Sequence, residues 1–360
     1  MAARAIVYCE NEFGKIDGKV ANGLARHSEK YDILGIIDST KAGLDTGEYL
    51  DGKQSGIPIF PSMENAIGLL GLVPEYFIYG IAAQEAYLDQ GQREVILGAM
   101  KAGMNFVNGL PEFFTEDEEF IRKAIEYRVH IYDMRKAPAR KYLHNFSGRI
   151  HEVASPVIAV LGTDCAVGKR TTAVRLVEAL KQAGLNPAFI ATGQTGLLQG
   201  AKYGIAVDVL SSGFATGEVE NAVINAYEKE HPDIIVVEGQ GALSHPAYTS
   251  SSAIVRGAMP DAIILQHAPK RKDHCDYPGI AMPSLESEIE LIAAFSQSKV
   301  IAITINHEDM TDADIKTTIA DYEARYELPT TDVLKFGCDK LVDTLTAFFP
   351  ELKEKACIAC

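Results

Sequence analysis

Residues 156–182, PVIAVLGTDCAVGKRTTAVRLVEALKQ, constrain the fold more than any other part of this 360-residue chain. An unbroken apolar run gives way to a glycine-bounded loop, a lysine, and then apolar residues at helical spacing. Strands that are apolar throughout are buried on both faces, which calls for a parallel sheet covered by helices. A glycine turn from such a strand into a helix presents backbone N–H groups and the positive helix end to one point, where a phosphate binds well. Lys169, just after Gly168, adds a formal positive charge there.

The same strand–helix alternation runs from end to end, so the fold class is α/β with largely parallel sheets. Short apolar runs at 4–9, 31–38, 75–81, 105–110 and 129–134 predict strands, with helices around 16–28, 62–70, 89–102 and 116–127 between them. The polar stretch 136–156, bracketed by prolines, reads as a linker or the edge of a joining helix. A second series of strands follows at 156–161, 187–192, 233–239, 261–267, 299–306 and 332–336, separated by helices at 169–182, 217–230, 286–297, 312–326 and 338–349. The expected organisation is a Rossmann-like N-terminal domain over 1–145 and a P-loop-like three-layer α/β domain over 150–360.

The loop departs from the common phosphate-binding pattern in two ways. Its spacing is G-x5-G-K, from Gly162 to Gly168-Lys169, one residue longer than usual. Arg170 then stands where a metal-ligating Ser or Thr is the rule, with hydroxyls only at Thr171 and Thr172. The longer spacing resembles the dethiobiotin synthetase branch of P-loop proteins. The acid that such a loop pairs with is Glu238, at the tip of the strand DIIVVEG. An arginine cannot coordinate a cation but can fork onto a second phosphate. Gly162, Thr163, Asp164, Gly168, Lys169, Arg170, Thr171 and Thr172 are therefore expected to seat a polyphosphate, with no metal site and no essential Mg2+.

Charge narrows the partners. With 34 Lys plus Arg against 49 Asp plus Glu, the net charge is 34 − 49 = −15, which opposes nucleic-acid binding. No apolar run approaches the roughly 20 residues of a membrane span. The first residues read directly as a strand, and six scattered cysteines suit a reducing, cytoplasmic setting. The pair Cys357 and Cys360 reads as a tail rather than a redox or metal site. The first loop, CENEFGKIDGKVANG, lacks G-x-G-x-x-G, which speaks against a dinucleotide site.

Four stretches, GTDCAVGKRTTA, ATGQTG, VVEGQGALSHP and LQHAPKRKDH, resemble a two-domain bacterial family long regarded as of unknown function. It is often mislabelled as an NAD-dependent epimerase/dehydratase, and it contains D-glutamate N-acetyltransferases. The resemblance implies transfer of acetyl from acetyl-CoA to the amine of D-glutamate, and a functional pairing with a dipeptide-epimerase-like enzyme. The first domain is also similar to the CoA-binding domain of succinyl-CoA synthetase-type proteins, which leaves shared topology and a shared ligand both open. The alternative class is a Mg-ATP-dependent ligase or kinase, with Thr171 and Glu238 on the metal.

Acetyl transfer needs a deprotonated amine, a grip on two carboxylates and stabilisation of the thioester oxyanion. The basic loop HAPKRKDHCDY, with His267, Lys270, Arg271, Lys272, His274 and Asp276, follows a strand tip where α/β proteins bind ligands. Lys270 is the expected catalytic cation, Arg271 the expected carboxylate or oxyanion partner. His245 is the first candidate for the base and Glu238 the second. A homo-oligomer is expected, as related folds commonly place sites near subunit contacts.

Overall fold

The computed structural model describes residues 2–82 and 87–358, with side chains as far as residue 355. The side chains of Cys357 and Cys360 thus lie outside the described part. The chain forms two compact units, Met1–Ala137 with Gln194–Ala201, and Pro138–Gly193 with Lys202–Cys360.

The first unit runs β1 (Ala3–Tyr8), α1 (Lys19–Arg26), β2 (Tyr31–Ile37), α2 (Thr46–Asp51), β3 (Ile59–Phe60), α3 (Met63–Leu70), β4 (Tyr76–Tyr79), α4 (Gln90–Lys101), β5 (Asn105–Asn108), α5 (Glu118–Tyr127) and β6 (Ile131–Asp133). Its parallel sheet has the order β3-β2-β1-β4-β5-β6, the Rossmann arrangement expected from the alternation. The loop after β1 closes on itself. Phe13 is fully buried, and Asp38 at the tip of β2 accepts from the Phe13 and Thr40 amides and from Lys41.

The second unit begins earlier than the sequence suggested. Glu220 accepts from the Ser147 and Ile150 amides and Glu218 from that of His144, which fastens residues 144–150 to a long helix. Its first elements are β7 (Val157–Gly162), α6 (Lys169–Gln182) and β8 (Pro187–Ala191). The short helix α7 (Gln194–Gln199) belongs to the first unit, where Gln199 donates to the Gly23 and His27 carbonyls. The second unit continues with β9 (Tyr203–Gly204), α8 (Ser212–Glu230), β10 (Ile234–Glu238), α9 (Ser250–Ala258), β11 (Ala262–His267), a hairpin of β12 (Asp273–His274) and β13 (Tyr277–Ala281), α10 (Leu285–Ser296), β14 (Lys299–Ile305), α11 (Asp312–Tyr326), β15 (Thr330–Thr331), α12 (Val333–Phe336), α13 (Asp339–Phe348) and α14 (Pro350–Ile358).

Its seven-stranded sheet has the order β15-β14-β11-β7-β10-β8-β9. On one face, Ile158, Val160, Val236 and Ile264 meet Leu176 and Leu180 of α6 and Leu341 of α13. On another, Leu161, Ile263 and Ile303 meet Val255 of α9, Ile292 of α10 and Ile315 of α11. These are the three layers expected of a P-loop unit. Residues 332–336, expected to form a strand, instead make the helical turn α12. Asp332 caps it, accepting from the Leu334 and Lys335 amides at 3.0 and 3.1 Å, and its capping outweighs the apolar residues that suggested a strand. Among the described residues no helix is long and apolar enough to cross a membrane.

Candidate functional site

The register of the sheet places the candidate residues around β7. Glu238 of β10 pairs opposite Val160 and Gln266 of β11 opposite Gly162, so their strand tips flank the loop that β7 feeds. In that loop Ala166 (φ 50°) and Gly168 (φ 109°) are left-handed, a geometry that turns successive N–H groups toward one point. Gly162 is needed for a different reason. A Cβ there would lie 2.9 Å from both Lys169 Cδ and Val167 Cγ2 and 3.0 Å from the Gln266 carbonyl.

Lys169 is buried, and its Nζ donates to the Asp164 carbonyl, folded back against its own loop. Burial lowers its affinity for a proton, while Cys165, Asp164 and Cys275 pull the other way. Glu238 is also buried, and burial pushes its carboxyl up. The Arg170 guanidinium opposes that push, as do the Thr192 and Gly193 amides, with Thr192 N–H donating at 3.0 Å. Arg170 thus acts on the strand-tip acid, the group that a metal would otherwise face.

The loop hydroxyls expected on phosphate are partly engaged elsewhere. Thr163 Oγ1 lies 2.8 Å from His267 Nδ1, and Thr172 Oγ1 donates to Gln266 Oε1 at 2.6 Å beneath the loop. Gln266 also accepts from Thr304 at 2.5 Å, so the Thr172 hydroxyl ties the helix to the sheet rather than to a ligand. Thr171, by contrast, is half-buried at the helix start.

Asp164 is the hub of the site. Its Oδ2 accepts from Arg271 Nη1 at 2.9 Å and from the Cys275 amide at 2.8 Å, and its Oδ1 from His274 Nδ1 at 2.7 Å. Burial opposes its ionisation, but the bonds from His274, the Cys275 amide and Arg271 outweigh it and hold the carboxyl below its ordinary value. Arg271 also donates to the Cys165 carbonyl at 2.8 Å and to Glu308 at 2.5 Å. Arg271, expected to grip a substrate carboxylate, instead fastens the hairpin to the loop. Lys270 is half-exposed, with Nζ 3.7 Å from Asp314, and is not drawn into the Asp164 cluster.

His245, the first candidate base, lies inside that cluster with its side chain fully buried. Its Nδ1 accepts from the Ala247 and Tyr248 amides at 3.2 Å each, its ring stacks on Tyr248 at 4.5 Å, and its Nε2 faces Asp164 Oδ1 at 3.6 Å. An acceptor Nδ1 puts the proton of the neutral ring on Nε2, which leaves no lone pair for a substrate. Burial, then His274, lowers its affinity for a second proton. In this geometry His245 holds position. Among the described residues, Asp164, His245 and His274 are close enough to share a cation. His274 hydrogen-bonds Asp164, whereas His245 Nε2 is buried 3.6 Å from Asp164 without a hydrogen-bond partner, and the tautomer set by its Nδ1 acceptor makes that nitrogen a donor rather than a metal ligand.

Two features were hidden from the sequence. His274 and Cys275 converge on Asp164 across about a hundred residues through the short hairpin, a contact no local pattern reveals. His307 and Asp332, after β14 and β15, meet at 2.6 Å, a pairing that a strand at 332–336 would not show and the helical turn there creates.

Comparison with known proteins completes the description. Residues 144–342 match the family described as a domain of unknown function (DUF1611_C) P-loop domain, and residues 39–137 its Rossmann-like companion, DUF1611_N. The chain is 31% identical over 275 residues to a D-glutamate N-acetyltransferase of Pseudoalteromonas sp, covering 75% of this chain and 80% of the relative. A D-glutamate N-acetyltransferase of Tritonibacter scottomollicae is 29% identical over 276 residues with the same coverage. The crystal structure of a DUF1611 family protein from Anabaena variabilis superposes with a TM-score of 0.86 at 30% identity, covering 96% of this chain and 99% of that one.

Proposed function

The chain belongs to the DUF1611 family, and on that premise we propose that it transfers the acetyl group of acetyl-CoA to the amine of D-glutamate. The observation that carries this reading is its similarity, over three quarters of its length, to two proteins named D-glutamate N-acetyltransferase. The loop geometry supports it. The 3′-phospho-ADP portion of acetyl-CoA is a polyanion, and the left-handed turn at 166–168 followed by the start of α6 suits phosphate oxygens. Lys169, released from the Asp164 carbonyl, supplies a charge to that phosphate.

Arg170 separates this reading from a Mg-ATP enzyme. Its guanidinium acts on Glu238, so the strand-tip acid has a cation built into the chain. Thioester aminolysis needs no metal if fixed donors meet the developing oxyanion, whereas phosphoryl transfer relies on one.

Purified protein with acetyl-CoA and D-glutamate, assayed for free thiol with and without EDTA, tests the reading. Thiol release that needs D-glutamate and withstands EDTA is the expected result. Hydrolysis of Mg-ATP with no thiol release would replace it with the ligase or kinase class.

A further inference from the structure

Resting on the acetyltransferase reading, we propose that His307, oriented by Asp332, is the general base that takes a proton from the acceptor's ammonium group. The pair stands just beyond the carboxyl ends of β14 and β15, on the same sheet edge as the phosphate loop. Asp332 is buried, with its side chain 2% exposed, and both of its carboxylate oxygens are fixed. Its Oδ1 takes the Leu334 and Lys335 amides, and its Oδ2 lies 2.6 Å from His307 Nδ1. A carboxylate is an acceptor only, so Nδ1 carries the proton and Nε2 keeps its lone pair. The His307 side chain is 31% exposed, and among the described residues its hydrogen bond is made at Nδ1 and not at Nε2. A buried carboxylate on Nδ1 with Nε2 open is the arrangement by which an aspartate readies a histidine as base.

The neighbouring histidines on this edge are differently placed. His245 uses Nδ1 as an acceptor and is fully buried, and His274 points Nδ1 at Asp164 with 3% of its side chain exposed. His267 is buried against Thr163. His307 is also coupled to the phosphate loop by a short chain of bonds. The next residue, Glu308, holds Arg271, which holds both Asp164 and the Cys165 carbonyl, while the Asn306 amide donates to the His267 carbonyl at 2.7 Å. Lys270 and Lys335 lie on the same edge with side chains 48% and 42% exposed, each paired with a surface aspartate. They are cations that a dicarboxylate acceptor can recruit.

The chemistry balances with these groups alone. His307 Nε2 removes one proton from the ammonium, and the freed nitrogen pair attacks the thioester carbon. The C–N bond forms, the C–S bond breaks, and the departing CoA thiolate takes a second proton from the same nitrogen. The third stays on the amide product, and the imidazolium returns its proton to solvent.

The test compares two acceptors in His307→Ala and Asp332→Asn. One is D-glutamate, whose amine is protonated at neutral pH. The other is its aminooxy analogue, with the same carboxylates and a nitrogen already unprotonated. With D-glutamate, both variants should lose about a hundredfold or more in kcat, a typical general-base contribution. Asparagine at 332 would still cap α12 but would hold the wrong ring tautomer. With the aminooxy acceptor, both should stay within about threefold of wild type, and added imidazole should partly restore His307→Ala on D-glutamate. Acetyl-CoA affinity by calorimetry should be unchanged. Should His307→Ala fail to bind acetyl-CoA, His307→Gln, which keeps a donor toward Asp332, is measured in its place. Near-wild-type kcat on D-glutamate, or equal losses on both acceptors without imidazole rescue, overturns the assignment of His307. Absence of thiol release by the wild-type protein overturns the acetyltransferase reading instead, which keeps the two failures apart.

Discussion

The first loops of the two units start from the same plan and end as opposites. Each follows a parallel strand, leads into a helix and lies beside an acid at a neighbouring strand tip, Asp38 in the first unit and Glu238 in the second. The loop after β1 is filled from within. Phe13 plugs it, Asp38 takes its amides together with Lys41, and Asn22 of α1 accepts from Gly14 N–H at 2.8 Å. The loop after β7 has left-handed Ala166 and Gly168 in place of a plug, and a lysine folded back onto it. The lesson is that a phosphate site lies less in the fold than in what fills the turn. In the first unit side chains satisfy the loop, whereas in the second the loop is shaped by backbone that an anion can meet.

The strongest way to break this contrast is Lys169→Ala. Losing one partner of a buried charge pair costs about 2–5 kcal/mol, so acetyl-CoA should bind roughly 30-fold or more weakly. Calorimetry reads this directly, and unchanged affinity would put the second loop on a level with the first. Next in size is Arg170→Thr. It removes the cation facing Glu238 and restores the usual hydroxyl, so the acid's charge stands uncompensated beside the loop and acetyl-CoA should weaken by about tenfold. The variant should also gain Mg2+-dependent affinity for ATP. If the wild type already prefers Mg-ATP, Arg170 does not stand in for the metal.

A third effect is on stability. Burial, helped by the nearby Arg271, holds His267 down at about 4, and its ring supports Thr163 at the root of the loop. An unfolded chain protonates this ring below about 6.5, while the folded one resists to about 4. The unfolded state therefore binds more protons across that window, and stability falls as pH drops through it. The full difference approaches about 3 kcal/mol. Urea midpoints at pH 7 and pH 4.5 should differ in this sense, and His267→Gln should lose at least half of the difference. Buried His245, shifted in the same direction, contributes to the remainder.

What the sequence revealed divides along physical lines. The loop at 162–169 and the α/β layering were legible because strand burial, glycine turns and helical spacing are local signals. Glu238 was legible as a strand-tip acid, and parallel pairing then carries it to the loop. The clamp on Asp164 was not, because Arg271 and His274 reach it from 107 and 110 residues away, through a polar hairpin that shows no apolar alternation. For the same reason the basic stretch 267–277 was read as a substrate grip, while much of it closes the protein onto itself. The role of Asp332 was not legible, since an apolar segment after an aspartate fits a strand as well as the helical turn that the aspartate's capping bonds create.

The smallest expected effect tests the filled loop itself. Asp38→Ala removes the acceptor for the Phe13 and Thr40 amides and the partner of Lys41, which should cost the first unit about 1–3 kcal/mol. Burial opposes the ionisation of this carboxylate, and the bonds from Thr40 and Lys41 overcome it, so in the wild type its contribution is lost only as pH falls below the ordinary aspartate range. The substitution should nevertheless leave acetyl-CoA affinity within about twofold, because independent sites respond independently. Calorimetric stoichiometry sharpens the point. One acetyl-CoA per chain, unchanged in Asp38→Ala, is what a filled first loop and an open second loop require. Two per chain, or one that Asp38→Ala abolishes, would mean that the first unit's similarity to CoA-binding domains extends to the ligand, and that Phe13 and Asp38 do not close its loop.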